Sequence, residues 1–138
     1  MASVRISYVF GSKLSKIKEI LTNVLDCMKT NIPDISEDDL FDLRLIYAEL
    51  LSNAAVHGNN EDETKKIELI IEIEKNEVSA VIRDEGNGFD YQKVLDRGDN
   101  PRDLMEERGR GLKMADLLSD GIRFNMAGNE IEFYKKLS

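Results

Sequence analysis

The most constraining feature of this chain is a run of period-two alternation near its middle. Ile67, Leu69, Ile71 and Ile73 alternate with Glu68, Glu72 and Glu74. Successive side chains of a strand point to opposite faces, so this segment carries one apolar face and one largely polar face. Lys75-Asn76 can turn the chain, and Val78, Ala80 and Ile82 read as the returning strand of a hairpin. An apolar sheet face has to be covered by another layer.

The flanking segments supply that layer. Residues 3–9 alternate as an opening strand, broken by Gly11 and Ser12. Leu14, Ile17, Leu21, Val24, Leu25 and Met28 fall on one helical stripe, with Ser12 as the expected N-cap. Ser36 opens a second helix with Glu37, Asp38 and Asp39 in its first turn, where the helix dipole favours acid. Its stripe is Leu40, Leu43, Tyr47, Leu50, Leu51 and Ala54, its stop is Gly58, and residues 59–63 read as a polar loop. From Glu85 to Arg108 the chain reads as a long loop with one short helix around Tyr91–Leu95; loops of this length are usually functional. Leu112, Ala115 and Leu118 support a third main helix, and residues 122–126 and 131–135 form a closing hairpin. Antiparallel strands with three helices predict a two-layer α+β sandwich in one domain spanning residues 1–138.

Composition narrows the function. The chain has 19 basic and 27 acidic side chains and a net charge of −8, a poor match to a nucleic-acid backbone. A lone Cys27 precludes an internal disulfide and fits a reducing, cytoplasmic setting. No apolar run is long enough to span a membrane. A lone His57 rules out a multi-histidine zinc site, and neither a P-loop nor a nucleophile elbow is present.

Three places can carry chemistry. Glu49, Asn53 and His57 are four residues apart, and each such step rotates about 40° around a helix, so they form a slowly drifting row beside the apolar stripe. A carboxylate can take a proton from a hydroxyl, and an amide oxygen is a hard ligand suited to Mg²⁺. An ordinary solvent-facing polar row has the same spacing. Asp84-Glu85-Gly86-Asn87-Gly88 puts an acid at a strand end, before glycines that let a planar ligand approach, although a plain turn looks similar. Arg108-Gly109-Arg110-Gly111-Leu112 opens a helix, where exposed N–H groups and two arginines attract an anion; a flexible glycine hinge is the alternative.

This ordered set resembles the GHKL, or Bergerat-fold, ATPases. The segment from Glu49 to Gly58 resembles their N-box, Asp84 to Gly88 the first glycine box, and Gly109 to Leu112 the second. The chain most resembles the anti-sigma-factor serine/threonine kinases of that superfamily. The resemblance implies a Bergerat sandwich: a mixed, mainly antiparallel sheet, about three helices on one face, and an ATP lid at about residues 89–108. It implies ATP and Mg²⁺ as cofactors. Asn53 would ligate Mg²⁺ and Glu49 would be the general base. Asp84 would bind the adenine amino group in a pocket shaped by Gly86 and Gly88, with His57 in support. Gly109, Gly111 and Leu112 would lie at the phosphates, and either Arg108 or Arg110 would reach the γ-phosphate. One departure is Gly128-Asn129-Glu130, where many relatives carry a threonine pair after a glycine; Asn129 is expected to serve as the polar partner instead.

The resemblance also implies partners: a sigma factor, a STAS-type antagonist as phosphoryl acceptor, and a second copy of the chain. The edge strand at residues 3–9 is the candidate for self-pairing. With no acceptor-histidine hairpin and no transducer domain in the sequence, neither a complete sensor histidine kinase nor a gyrase-like protein is expected. A non-catalytic ATP-binding module that controls a partner enzyme or phosphatase is the alternative function, and a plain structural domain is the third.

Overall fold

The computed structural model describes residues 3–88 and 107–138, for residues 107–110 the backbone only. The short helix expected around Tyr91–Leu95 and most of the expected lid lie outside the described residues. The elements are β1 (Val4–Gly11), α1 (Leu14–Asn31), α2 (Glu37–Asn53), a π-helical turn (Ala54–Gly58), β2 (Lys66–Glu74), β3 (Glu77–Arg83), α3 (Glu107–Leu118), β4 (Gly121–Phe124) and β5 (Glu130–Lys136).

The central hairpin forms as its alternation requires. Glu74 pairs with Glu77 across Lys75-Asn76, and Ile71 pairs with Ala80. β1 adds to the other side of β2, with Ile6 opposite Ile71. The sheet order is β1-β2-β3-β5-β4, and every described pairing is antiparallel. This is the α+β sandwich expected, with helices packed on one face. That face is closed by Ile67, Leu69, Ile71, Ile73, Val78, Ala80, Ile82, Ile131 and Phe133, all buried. The ring of Tyr47 meets Phe133 edge-on, with centroids 5.2 Å apart at 77°, so α2 is seated over the middle of the sheet.

Two local expectations change. The N-cap of α1 is Lys13, with no side-chain cap; the Ser12 hydroxyl instead donates to the Lys65 carbonyl at 3.0 Å. The buried stripe of α1 is Ile17, Ile20, Val24 and Met28, while Leu14 is exposed; the helix is rotated so that Ile20 faces inward. Ser36 does cap α2, accepting from the Asp39 N–H at 3.1 Å. At the end of α3, Lys135 donates to the Leu118 carbonyl at 2.8 Å and pairs with Asp42 at 3.4 Å, which ties α3 to both α2 and β5.

The outer sheet face is polar and crossed by ion pairs. Arg83 bridges Glu68 and Glu130, and Arg123 meets Glu132 at 2.7 Å. Exposed pairs of this kind contribute little to stability, so the fold rests on its inner face. Ile71→Ala is therefore expected to cost about 2–5 kcal/mol. Ile70→Ala, one residue along and on the outer face, should cost about 1 kcal/mol or less. Urea denaturation of the two variants checks this; similar losses would mean that the faces are misassigned.

Candidate functional site

The site gathers at one end of the sandwich, where α2 meets the turn that follows β3. α2 does not end as an ordinary helix. Ala54 keeps helical dihedrals (φ −62°, ψ −43°), and the chain runs on into the π turn, closed by the Asn59 N–H donating to the Ala54 carbonyl at 2.8 Å. π turns of this kind often occur at functional sites. The wider turn means that His57 does not continue the drift that Glu49 and Asn53 share. Asn60 (φ 53°) and Glu61 (φ 57°) then turn the chain sharply away in the left-handed region.

Gly58 lies against Asp84. A Cβ at Gly58 would sit 2.3 Å from Asp84 Oδ2, and one at Gly86 would sit 1.9 Å from the Gly58 carbonyl oxygen. Two glycines facing each other thus let the end of α2 and the end of β3 touch. Gly88 holds φ +101° and packs on the Ala127 carbonyl of the β4–β5 turn. Asp84 is buried at 8% exposure. Its Oδ1 accepts from the Gly86 N–H at 2.8 Å, and its own N–H donates to the Asn129 carbonyl at 2.9 Å. Burial pushes the Asp84 carboxyl above its ordinary value, opposed in part by the Gly86 N–H and the charge of Lys65.

Glu49 and Gly111 form the second contact. Glu49 is half-buried, and a Cβ at Gly111 would lie 1.9 Å from its Oε2. α3 starts at Glu107, before the glycine pair, so Gly111 stands in the second turn rather than at the helix start. The missing side chain at Gly111 leaves room for the Glu49 carboxylate. Gly109 lies nearer the helix start, in the first turn. Leu112 is wholly buried core. Arg108 and Arg110 belong to α3, and their side chains lie outside the described residues.

Asn53 is buried at 5% exposure, and its Nδ2 has no hydrogen-bond partner among the described residues. A buried amide N–H without a partner among the described residues calls for an acceptor, and a phosphate oxygen would serve as one. Among the described residues no group of three or more His, Cys, Asp or Glu side chains could hold a metal. A cation here would take few protein ligands and complete its shell with water and phosphate, the usual habit of Mg²⁺. The residues present fit that arrangement. His57 is half-buried in the π turn.

Two asparagines that organise the site's backbone carry no motif in the sequence. Asn59, read as loop, is wholly buried: its Nδ2 donates to Ser12 Oγ at 2.8 Å and to the Lys66 carbonyl at 3.0 Å, and its Oδ1 accepts from the Glu85 N–H at 2.8 Å. Asn125 organises the β4–β5 turn, its Oδ1 accepting from the Gly128 N–H at 2.8 Å and its Nδ2 donating to Asn129 Oδ1 at 2.8 Å. Asn129 thus gives its side-chain oxygen to Asn125 and its carbonyl to Asp84. The available signal was asparagine at sharp turns.

Comparison with known proteins agrees with this geometry. Residues 11–135 match the family described as the histidine kinase-like ATPase domain. The chain is 28% identical over 107 residues to the "Serine-protein kinase RsbW" of Bacillus subtilis, covering 73% of this chain and 67% of that protein. It is 29% identical over 90 residues to an "Anti-sigma F factor" of Clostridium botulinum, covering 64% and 63%. The RsbW kinase of Staphylococcus aureus is 29% identical over 91 residues, with 57% of its length covered. The matches therefore span about two thirds of these relatives or less.

The raised Asp84 carboxyl has a consequence for stability. An acid with a folded pKa above its unfolded value stabilises the fold below the unfolded pKa, near 3.9, and loses that contribution as pH rises through the folded value. Asp84→Asn keeps an acceptor for the Gly86 N–H and removes the charge. The nucleotide-free variant should be more stable than the parent at pH 7, with the gap closing below about pH 4. Urea midpoints at the two pH values test this, and a lower midpoint at pH 7 would contradict it.

Proposed function

Because this chain belongs to the histidine kinase-like ATPase domain family, we propose that it is an ATP-dependent serine/threonine protein kinase acting as an anti-sigma factor. In this reading the whole chain is one such domain. It binds a sigma factor in the cytoplasm and phosphorylates a STAS-type antagonist. The single observation that best supports catalysis is the Glu49 carboxylate set against the Cβ-less Gly111, one helical turn from the buried Asn53 amide. The names of the relatives support the kinase and anti-sigma assignments.

The residue roles follow from chemistry. Asn53 offers a hard oxygen to Mg²⁺ and an N–H to a phosphate oxygen. When bound, Mg-ATP supplies the phosphoryl group and the cation that neutralises its charge. Glu49 takes the proton of the acceptor serine as that hydroxyl attacks, a contribution of about 10²–10⁴-fold for a well-placed base. Asp84 accepts from the adenine amine; Gly86 and Gly88 shape the base pocket by letting the turn after β3 close on Gly58 and on the Ala127 carbonyl. The first N–H groups of α3 and an arginine of its first turns hold phosphate. Phosphoryl transfer asks mainly for positioning and charge neutralisation, and this set supplies both.

Two experiments test the reading. Mg-ATP at a hundred times its Kd should stabilise the parent by about 2.7 kcal/mol, visible as a thermal shift, and no shift would end any ATP-based function. Glu49→Gln should keep that shift and lose about 10²–10⁴-fold in transfer to a STAS protein. If the Gln variant regulates its partner unchanged, a non-catalytic ATP-binding module is the better description. Gly111→Ala gives a second handle on the same group. Ala is favoured over Gly in a helix by about 0.8–1.0 kcal/mol, and the flexible end of Glu49 can move aside, so the fold should survive. Transfer should nevertheless fall at least tenfold in a radiolabel assay, because the base has been displaced by ångströms.

A further inference from the structure

We propose that Asn59 is a positioning residue that sets the purine selectivity of this site. The inference rests on the nucleotide reading above and goes beyond it, since Asn59 itself touches no ligand. The buried Asn59 amide meets three elements. It donates to Ser12 at the β1–α1 corner and to the Lys66 carbonyl at the start of β2, and it accepts from Glu85 in the turn after β3. Ser12 is also wholly buried, and its hydroxyl donates a hydrogen bond to the Lys65 carbonyl at 3.0 Å. The result is one chain of hydrogen bonds from Glu85 N–H through Asn59 and Ser12 to β2, and such chains stiffen cooperatively.

The place where this chain ends gives it a function. Glu85 follows Asp84 directly, so Asn59 fixes the peptide that carries the base-binding carboxylate. The N–H of Asp84 is held by the Asn129 carbonyl at 2.9 Å, and the N–H of Glu85 by Asn59 at 2.8 Å. Asp84 Oδ1 is engaged by the Gly86 N–H at 2.8 Å. With both neighbouring N–H groups and one carboxylate oxygen committed, the orientation of Oδ2 against Gly58 is set before any ligand arrives. A preorganised acceptor discriminates strongly for a donor on the ligand, whereas a loose one can turn away or be hydrated. Asn59 therefore secures preference for a purine with an exocyclic amine over one with a carbonyl at that position.

The test compares Asn59→Ala and Ser12→Ala with Val24→Ala, a change at a wholly buried α1 side chain remote from this network. Two readouts are used: hydrogen exchange of the Glu85 amide in nucleotide-free protein, and the ratio of ATP to inosine triphosphate affinity by calorimetry. Asn59→Ala should speed Glu85 exchange by about tenfold or more, and lower the ATP-to-inosine-triphosphate ratio by about tenfold. Ser12→Ala should move both in the same direction by less, and it carries the test if Asn59→Ala does not fold. Val24→Ala should lower the melting temperature and leave the ratio alone. An unchanged ratio in the Asn59 and Ser12 variants, with ATP still bound, overturns the proposal and leaves Asn59 as a structural staple. A parent that binds no ATP overturns the nucleotide reading, and this proposal with it, whatever the exchange rates are.

Discussion

The contact between the end of α2 and the turn after β3 is the constraint around which the site is built. Gly58 and Gly86 meet so closely that a Cβ on either would collide, at 2.3 Å from Asp84 Oδ2 or 1.9 Å from the Gly58 carbonyl. The helix reaches this contact by widening: the i→i+5 bond from Asn59 to Ala54 lets α2 run on for one more turn and deliver Gly58 to Asp84. Separate the two glycines by the width of a methyl group and water reaches Asp84. The burial that raises its carboxyl is then lost, and so is the short reach from Asn59 to Glu85. The carboxylate, its burial and its orientation all follow from two missing side chains.

A chain of net charge −8 that is proposed to bind a polyphosphate needs a physical account. Phosphate responds to groups within roughly a Debye length, about 8 Å at physiological salt, rather than to the whole molecule. Much of the acid on the outer sheet face is paired there, Glu68 and Glu130 with Arg83 and Glu132 with Arg123. That face lies across the sheet from α2, which carries Glu49 and Asn53. In the proposed complex, the neutral donors near the phosphates are the first N–H groups of α3, at the positive end of its helix dipole, and the amide of Asn53. Net acidity argues against a long nucleic-acid backbone, which must be neutralised along its length. It says little about one compact ligand held at a helix end.

The fold was legible wherever a segment's periodicity was long enough to be averaged. The hairpin of β2 and β3, the capping of α2 by Ser36 and the order of all the described elements follow from pattern and turn chemistry. The errors have local causes. The stripe of α1 was assigned a few tens of degrees away because Leu14 and Ile20 are both apolar, and only packing against β1 and α2 decides which faces inward. Ser12 looks like a cap because it precedes a helix, but its hydroxyl is used across the chain by Lys65 and Asn59, which local spacing cannot reveal. The site residues were legible as motifs, yet the geometry was not. A four-residue spacing assumes an α-helix, and the π turn breaks that assumption between Asn53 and His57. The room that Gly111 leaves for Glu49 is a tertiary contact, which local spacing cannot reveal.

The local costs of this structure are unevenly distributed, and their distribution is itself informative. Asp84 is buried with a raised carboxyl, Asn53 has a buried N–H without a partner among the described residues, Gly111 interrupts a helix, and Asn60 and Glu61 occupy the left-handed region. Each is unfavourable in the nucleotide-free chain, and each lies in or directly beside the turn-and-glycine end of the sandwich. The remaining buried group without a partner among the described residues is the Tyr47 hydroxyl, in the middle of the core against Phe133. One orphan hydroxyl in a closed aromatic contact is the ordinary cost of filling a core with a tyrosine. Several independent costs gathered at one opening are different, because a ligand that donates to Asp84 and accepts from Asn53 would relieve two of them on binding. In the proposed function, ligand affinity at this end would draw partly on these local costs. The opposite face of the sheet, where Ile67 to Ile73 turn their glutamate neighbours outward, carries no such store.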